Sequence, residues 1–244
     1  MGTEAILEKK TTFVLVHGAW HGGWCYKRVA APLRARGHEV YTPTLTGLAD
    51  RSHLLSAAVN LSTHITDIVN LLRWEELTDV VLCGHSYGGM VITGVVGLCP
   101  ERIRSVVYLD AYLPEEGQSL IDTVPDEQLR GLLTAAARNG GISIPPFSAE
   151  RFGVSNPRDR AWVDAQCTPQ PWGTILEGVS GRGALERIGK RTYIYAEGYT
   201  SSSFTATYER LKVDPSWIVR TAPCGHDVMV DMPDLLVDLL LEAA

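Results

Sequence analysis

The sequence predicts an α/β protein with a mostly parallel, doubly wound sheet and a helical insertion, and three observations carry this prediction. Short β-rich apolar runs alternate with helical stretches along residues 12–109, a pattern typical of strands joined by crossover helices. The alternation returns at residues 191–244, after a stretch rich in proline and glycine. The 244 residues are 45% hydrophobic and 20% charged, which matches one soluble globular domain. A chain of this length buries roughly 70 to 75% of its unfolded surface, so it needs neither a disulfide framework nor a structural metal.

The first core elements follow from apolar periodicity and from the residues that stop it. Residues 12–17 form an apolar run, as expected of a strand buried on both faces of a parallel sheet, and Gly18 ends it. Residues 24–36 are predicted as a helix with Gly37 as its C-terminal stop. The next elements are a strand at 38–42, a loop at 43–54, a helix at 62–74, a strand at 79–83, a helix at 88–99 and a strand at 105–109.

The alternation breaks between residues 113 and 187, where prolines and charged helical pieces such as residues 126–139 replace it. We expect this segment, 113–187, to form a helical cap inserted into an α/β core made of residues 1–112 and 188–244. The core then resumes with a strand at 191–196, a helix at 204–211, a strand at 217–221 and a terminal helix that begins at Pro233, a residue favoured in the first helical turn.

Charge and composition exclude several kinds of partner. Lysine and arginine number 22 against 28 aspartates and glutamates, so the formal net charge is −6, and neither nucleic acid nor an anionic membrane surface is an expected partner. The longest nearly apolar run, residues 90–99, is far shorter than the roughly 18 to 20 residues of a membrane helix. Residues 1–12 lack the features of a secretory signal, so we expect a cytoplasmic protein. The sequence contains neither a heptad repeat nor an apolar stripe that would indicate an oligomeric state, so a homodimer is one of the alternatives.

The motif Gly84-His85-Ser86-Tyr87-Gly88 matches GxSxG and lies between a predicted strand and a predicted helix. This is the context of a nucleophile elbow, a sharp strand-to-helix turn that exposes a serine hydroxyl above the sheet. Small residues at positions 84 and 88 relieve crowding around such a strained turn. We therefore predict Ser86 as a catalytic nucleophile, with an idle serine in a glycine-rich turn as the alternative.

A serine hydroxyl is a weak nucleophile until a base takes its proton. His226 lies in the loop between the last predicted strand and the last helix, at the same edge of the sheet as the elbow, and is the predicted base. The other histidines are interpreted as shaping or surface residues. His17 and His21 are four residues apart, but glycines make that stretch a loop, so we expect no metal site there. Five dispersed cysteines without CxxC spacing are interpreted as buried apolar residues rather than zinc ligands.

The oxyanion donors are predicted to be two backbone N–H groups. Tyr87 follows the nucleophile at the start of a helix, and Ala19 follows the glycine that ends the first strand.

The acid that orients the base has two candidates. Asp110 ends the strand after the elbow helix and is our first choice, whereas Glu197, after the next-to-last strand, is the alternative. Asp227 adjoins the base and is interpreted as a loop hydrogen-bonding residue.

With these residues identified, the chain resembles the α/β-hydrolase superfamily over nearly its whole length. The segments FVLVHGAWHGGW (13–24), GHSYGG (84–89), YLDAYLP (108–114), TPQP (168–171) and GHD (225–227) are similar to those of small bacterial carboxylesterases related to pyrethroid-hydrolysing esterases. Plant methyl-ester esterases and hydroxynitrile lyases are more distant relatives.

The resemblance implies an α/β-hydrolase fold of about six strands with a helical cap, and serine esterase chemistry without a metal or organic cofactor. It also implies Ser86 as nucleophile, His226 as base, and Ala19 and Tyr87 as oxyanion donors. The acid departs from the plant pattern, because this sequence has Tyr199 near the place where plant relatives carry a carboxylate. Some dehalogenase-like members instead take the acid from the strand end that Asp110 matches.

We expect the protein to hydrolyse small to medium hydrophobic carboxylic esters through an acyl-enzyme, with the small-molecule ester as its partner. Trp20, Tyr112 and Trp172 are predicted walls for an apolar substrate, because the first two flank catalytic loops and the third lies in the cap; packing is the alternative role for each. One alternative function is a carbon–carbon lyase of the hydroxynitrile type, which requires a cation near the leaving group. Residues 113–187 contain seven arginines and no lysine, which disfavours that rival. A catalytically silent, ligand-binding relative is the other rival.

Overall fold

A computed structural model describes residues 10–200 and 202–244 of the chain. Most of the segment from which we predicted the absence of a secretory signal, residues 1–9, lies outside the described residues. In chain order, the strands are β1 (Thr12–Val16), β2 (Glu39–Tyr41), β3 (Val80–His85), β4 (Ile103–Leu109), β5 (Ser143–Ile144), β6 (Gln170–Pro171), β7 (Lys190–Ala196) and β8 (Ile218–Ala222). The α-helices are α1 (Lys27–Ala35), α2 (Leu61–Trp74), α3 (Gly88–Leu98), α4 (Asp126–Arg138), α5 (Pro157–Gln166), α6 (Gly173–Leu176), α7 (Ser202–Leu211), α8 (Val228–Asp231) and α9 (Pro233–Glu242).

Six of these strands form one parallel sheet in the order β2-β1-β3-β4-β7-β8. Every residue of β3 is buried, as expected of a central strand covered by helices on both faces. Helix α1 packs against α9, while α2 packs against α3, so helices pair in two groups around the sheet. The prediction of a parallel, doubly wound sheet of about six strands is confirmed.

Local sequence explains where individual helices begin. The Asn60 side chain accepts from the Thr63 N–H, and the Thr63 hydroxyl accepts from the Asn60 N–H, a reciprocal cap that starts α2 at Leu61. The helix expected from residue 24 instead opens with a 3-10 turn at Gly23–Tyr26. A Cβ on Gly23 would stand 2.0 Å from the carbonyl oxygen of Thr42, the residue after β2. Only glycine therefore allows the turn to pack this closely against the end of β2.

The segment between β4 and β7 contains α4, α5, α6 and a two-stranded antiparallel ribbon of β5 and β6. Its attachments to the rest of the chain are polar and specific. The Gln170 Oε1 atom accepts from the Trp20 N–H at 3.0 Å, and the Phe152 carbonyl accepts from the His226 N–H at 2.8 Å. Arg28 on α1 donates to both carboxylate oxygens of Asp159 on α5. The cap is therefore fastened directly to the loops that carry the predicted site residues.

The sheet topology places those loops together. In a parallel sheet all strands end at the same edge, and β1, β3, β4, β7 and β8 lead into the loops that carry Ala19, Ser86, Asp110, Glu197 and His226. Among the described helices, we find none that combines the length and the apolar character required to cross a membrane.

Candidate active site

Ser86 occupies a strained turn between β3 and α3. Its φ angle is +53°, in the left-handed region that side chains other than glycine rarely adopt. Closely packed backbone surrounds the turn: a Cβ on Gly84 would stand 2.5 Å from the Gly88 carbonyl oxygen, and one on Gly88 would stand 2.8 Å from the Val16 oxygen. Both glycines of the motif are therefore required by space, and the strained serine is half-buried at the head of the helix.

His226 and Asp110 form a buried pair next to this turn. The His226 Nδ1 atom lies 2.6 Å from Oδ2 of Asp110, which is 0% exposed, and Oδ1 of Asp110 accepts from the Ala196 N–H at 3.2 Å. Burial raises the pKa of Asp110, and the hydrogen bond from His226 opposes that rise. The carboxylate thus fixes the imidazole with its Nδ1–H toward Asp110, which leaves Nε2 for proton exchange.

The alternative acid lies elsewhere. Glu197 is exposed, and its backbone N–H donates to the Ala222 carbonyl at the end of β8. Of the two carboxylates that the sequence offered, Asp110 is the one that contacts His226. This contact matches our first choice, whereas its catalytic role stays a prediction.

The predicted oxyanion donors border the same cavity as Ser86 and His226. Tyr87 directly precedes α3, where N–H groups of the first turn have no partner within the helix. Ala19 precedes Trp20, whose φ of +65° turns the chain sharply after β1. A Cβ on Gly18 would stand 2.8 Å from Nδ1 of His85 and 2.9 Å from Cβ of Ser86, so only glycine lets this loop approach the elbow.

The cavity has a volume of about 610 Å³ and is lined by residues of the core and the cap. Trp20 and Tyr112 border it, as predicted. The prediction for Trp172 needs correction, because among the described lining residues the cap contributes Ile175 from that region instead. Trp172 is half-buried against the hydrophobic core at the start of α6, and Ile175 lies one helical turn later. Which cap residue lines the cavity depends on which face of the helix points toward it. The sequence of the cap has no regular apolar periodicity from which that face could be predicted.

Aromatic rings that the sequence analysis did not assign surround the His226 imidazole. The ring centroid of Tyr199 lies 4.5 Å from that of His226 at an interplanar angle of 27°, and Phe204 lies at 5.2 Å and 15°. Phe152 from the cap approaches to 5.9 Å. All three also border the cavity. Their signal in the sequence is weak, because each is separated from the GHD motif by at least one element of structure.

Three further histidines near the site, His17, His64 and His85, are buried. Burial lowers the pKa of His17 to about 3 and that of His64 to about 4, so both rings are neutral near pH 7. His85 is buried, and its Nε2 donates to the His226 carbonyl at 3.0 Å. Within the described part of the chain, no group of three or more histidine, cysteine, aspartate or glutamate side chains could hold a metal ion.

Comparison with known proteins places this geometry in a family. Residues 13–239 match the model of the alpha/beta hydrolase family. The chain belongs to that family. It is 46% identical over 236 residues to a carbendazim hydrolyzing esterase of Nocardioides sp. (strain SG-4G), covering 93% of this chain and 97% of the relative. It is 34% identical over 253 residues to a pyrethroid hydrolase of Sphingobium wenxiniae, covering 96% and 88%.

A solved structure of an extracellular alpha/beta-hydrolase from a Paenibacillus species superposes with a TM-score of 0.84 at 24% identity, covering 96% of this chain and 99% of that one. This likeness concerns the fold. The predicted resemblance to the alpha/beta-hydrolase family and to pyrethroid-hydrolysing esterases is confirmed by these comparisons.

Proposed function

We propose that this alpha/beta-hydrolase family member is a serine carboxylesterase whose nucleophile, base and acid are Ser86, His226 and Asp110. The observation that carries the proposal is the 2.6 Å hydrogen bond between His226 Nδ1 and Asp110, made by an imidazole that borders the same cavity as the strained serine. The esterase relative that is 46% identical over nearly the full length of both chains supports the reaction class.

In the acylation step, the Ser86 hydroxyl attacks the ester carbonyl carbon while Nε2 of His226 takes the hydroxyl proton. The carbonyl oxygen becomes an oxyanion, and the N–H groups of Ala19 and Tyr87 donate to it. When the tetrahedral intermediate collapses, the carbon–oxygen bond to the alkoxy group breaks. His226 gives its proton to the departing alcohol, which leaves an acyl group on Ser86.

Deacylation repeats these steps with water as the nucleophile. His226 takes a proton from water, the hydroxide attacks the acyl carbon, and the same two N–H groups stabilise the second oxyanion. Collapse breaks the bond to Ser86 Oγ, which recovers its proton from His226. Over the two steps one ester and one water are consumed, one alcohol and one carboxylic acid are released, and the enzyme is regenerated.

Small to medium hydrophobic esters fit the cavity. Its volume of about 610 Å³ falls in the range of small-molecule sites, roughly 300 to 1,000 Å³. Aromatic rings form one wall. The ring centroid of Trp20 lies 4.7 Å from that of Phe147 and 6.0 Å from that of Phe152. We include the predicted cytoplasmic location in this proposal, and cell fractionation tests it.

The decisive experiment follows the hydrolysis of p-nitrophenyl acetate, butyrate and octanoate by the wild type and by Ser86→Ala. We expect turnover to fall by roughly 10⁴-fold or more in the variant, while its circular dichroism spectrum is unchanged. An organophosphonate should add one phosphonyl group to the wild type, mapped to Ser86 by mass spectrometry. Ser56→Ala, at an exposed loop serine, is the matched control and should behave as the wild type in both assays.

Normal turnover by Ser86→Ala, or phosphonylation at another residue, contradicts the proposal. The lyase alternative receives one supporting observation, since Arg151 of the cap borders the cavity with its guanidinium 3.7 Å from the Phe147 ring centroid. Incubation with an aromatic cyanohydrin separates the two activities. Cyanide release without hydrolysis of any of the three esters would replace the esterase with a lyase.

A further inference from the structure

A second histidine–carboxylate pair lies beside the catalytic one and takes no part in the proton transfers above. Nε2 of His21 lies 3.2 Å from Oδ2 of Asp227, and the two side chains are 1% and 0% exposed. The pair joins the oxyanion loop, residues 17–22, to the histidine loop, residues 223–227, across 206 positions of sequence. Among the described residues that border the cavity, neither His21 nor Asp227 is found.

The hydrogen-bond partners of His21 determine its charge. Its Nδ1 lies 2.8 Å from the Ala19 carbonyl oxygen, which can only accept, so Nδ1 carries a proton. Its Nε2 faces the Asp227 carboxylate. Burial raises the pKa of Asp227, and the charge and hydrogen bond of His21 lower it to about 2, so ionised Asp227 and protonated His21 stabilise each other. An ionised carboxylate can only accept, which places an acceptor at Nε2 as well. Both nitrogens of His21 therefore carry protons, and the ring is a buried imidazolium.

The same reasoning gives a different result for the neighbouring buried histidines. Nδ1 of His17 donates to the Gly18 carbonyl, while its Nε2 accepts from the Leu45 N–H. His64 likewise faces one acceptor, the Thr46 carbonyl, and one hydroxyl, that of Tyr87. One donor and one acceptor satisfy a neutral imidazole. Unlike these two, His21 lies between two acceptors.

The position of the pair indicates what the charge does. The His21 imidazolium binds the carbonyl of Ala19, whose N–H is the proposed oxyanion donor, and Asp227 directly follows His226 in the chain. His85 supports the same loop, because its Nε2 donates to the His226 carbonyl and lies 3.9 Å from Oδ1 of Asp227. Strands β1 and β8 lie on opposite sides of β3, the strand that leads to Ser86. The ion pair between His21 and Asp227 connects the loops that follow β1 and β8.

We propose that His21 is a positioning residue: its imidazolium, paired with Asp227, holds the oxyanion loop and the histidine loop at the spacing that lets the Ala19 N–H and the His226 imidazole act together on one substrate. This inference rests on the proposed esterase function. A misplacement of about 1 Å at a catalytic group can lower a rate by about 10²-fold, so a pair that touches no substrate still governs kcat.

The test compares Asp227→Asn, His21→Gln and the double variant in p-nitrophenyl acetate hydrolysis. We expect each single variant to lower kcat by about 10-fold to 100-fold with little change in KM, because neither residue borders the cavity. The double variant should lose no more than the worse single variant, since the two side chains act as one unit. Asp159→Asn, which removes the ion pair between Arg28 and the cap, is the matched control and should keep the wild-type kcat.

The pH profile supplies a readout that a merely structural pair would not move. Burial favours neutral His21, but the charge and hydrogen bond of Asp227 outweigh it and raise the pKa of His21. The imidazolium is thus lost only as the pH rises through a value above that of an ordinary histidine. Around the pair lie His17 and His85, both with lowered pKa values, and the thiols of Cys25 and Cys167, whose pKa values burial raises. We expect an alkaline fall in wild-type kcat that Asp227→Asn lacks.

NMR of wild-type protein labelled with ¹⁵N-histidine tests the charge directly, and a variant is needed only to assign the signals. His21 should show two protonated ring nitrogens at pH 7, assigned by the loss of its signals in His21→Gln. A neutral His21 ring, or single variants that keep kcat within about twofold while only the melting temperature falls, would overturn the proposal. If the wild type hydrolyses no ester, the proposed function fails on its own, and the NMR result still decides the charge of His21.

Discussion

Replacing Asp110 with asparagine should disable the base by reversing its tautomer. The Ala196 N–H donates to Oδ1 of Asp110, so an asparagine at this position keeps its oxygen there to accept that bond. Its amide NH₂ then takes the place of Oδ2, 2.6 Å from Nδ1 of His226. An NH₂ group can only donate, so Nδ1 of His226 becomes the acceptor and the ring proton moves to Nε2. Nε2, the nitrogen that we propose as the acceptor of the serine proton, can then no longer take it.

The expected loss follows from this reversal. In other serine triads the same change leaves the geometry intact and lowers kcat by about 10⁴-fold. Because each tenfold change in rate corresponds to about 1.36 kcal/mol, this loss is about 5.4 kcal/mol of barrier. Stability should change much less, since asparagine has nearly the same volume and satisfies both buried neighbours. The variant is therefore expected to be folded and almost inactive.

The assay measures kcat and KM for p-nitrophenyl butyrate in the wild type, Asp110→Asn and Glu197→Gln, together with the melting temperature of each. Glu197→Gln is the matched control, because Glu197 is exposed and should contribute nothing to the base. The reasoning is refuted if Asp110→Asn keeps its kcat within tenfold of the wild type. A loss confined to Glu197→Gln would assign the acid to the end of β7 instead.

Two further substitutions test the elbow and the ring packing. Gly84→Ala forces a Cβ to 2.5 Å from the Gly88 carbonyl oxygen, and we expect a lower melting temperature, corresponding to about 1 to 3 kcal/mol. Gly131→Ala, where a Cβ meets nothing within 4 Å inside α4, should instead stabilise the protein by about 0.4 to 1 kcal/mol. Tyr199→Leu removes the ring stacked on His226 and should lower kcat by about tenfold, whereas Tyr199→Phe keeps the ring and should retain kcat; equal loss in both would exclude a role for the ring.

The strands and helices of the core could be predicted because their signals are local. Short apolar runs located every strand of the central sheet, and periodicity located α2 and α3 to within one residue. The start of β4 was placed two residues late for a physical reason. Between Val80 and Val81 the pairing with β4 shifts from Ile103 to Ser105, so Arg104 is an extra residue that breaks the alternation. A bulge of this kind is set by the neighbouring strand and leaves no local pattern.

The residues of the site likewise divide into those that local patterns predict and those that they do not. The location of Ser86, His226, Ala19 and Tyr87 beside one cavity could be predicted, since each follows a strand whose end a local pattern marks; their catalytic roles stay predictions. The cap contributions could not, because they depend on contacts between distant segments. The Trp20 indole N–H donates to the Ile144 carbonyl, 124 positions away, and His226 is held by Phe152. Contacts of this kind, between residues far apart in the sequence, leave no local pattern from which the lining of the cavity could be predicted.

The order of strands explains how the carboxylate of Asp110, after β4, reaches the imidazole of His226, after β8. Strand β7 lies between these two, and Leu109 of β4 is in register with Ile194 of β7. Asp110 has a φ of +41°, a strained turn at the end of β4, and its carboxylate accepts a hydrogen bond from the Ala196 N–H at the end of β7. This route requires that the end of β7 carry no competing carboxylate near the imidazole. Glu197 is exposed, and the ring of Tyr199, in the loop after β7, stacks on His226, so among the carboxylates after β4 and β7 it is Asp110 that contacts the imidazole.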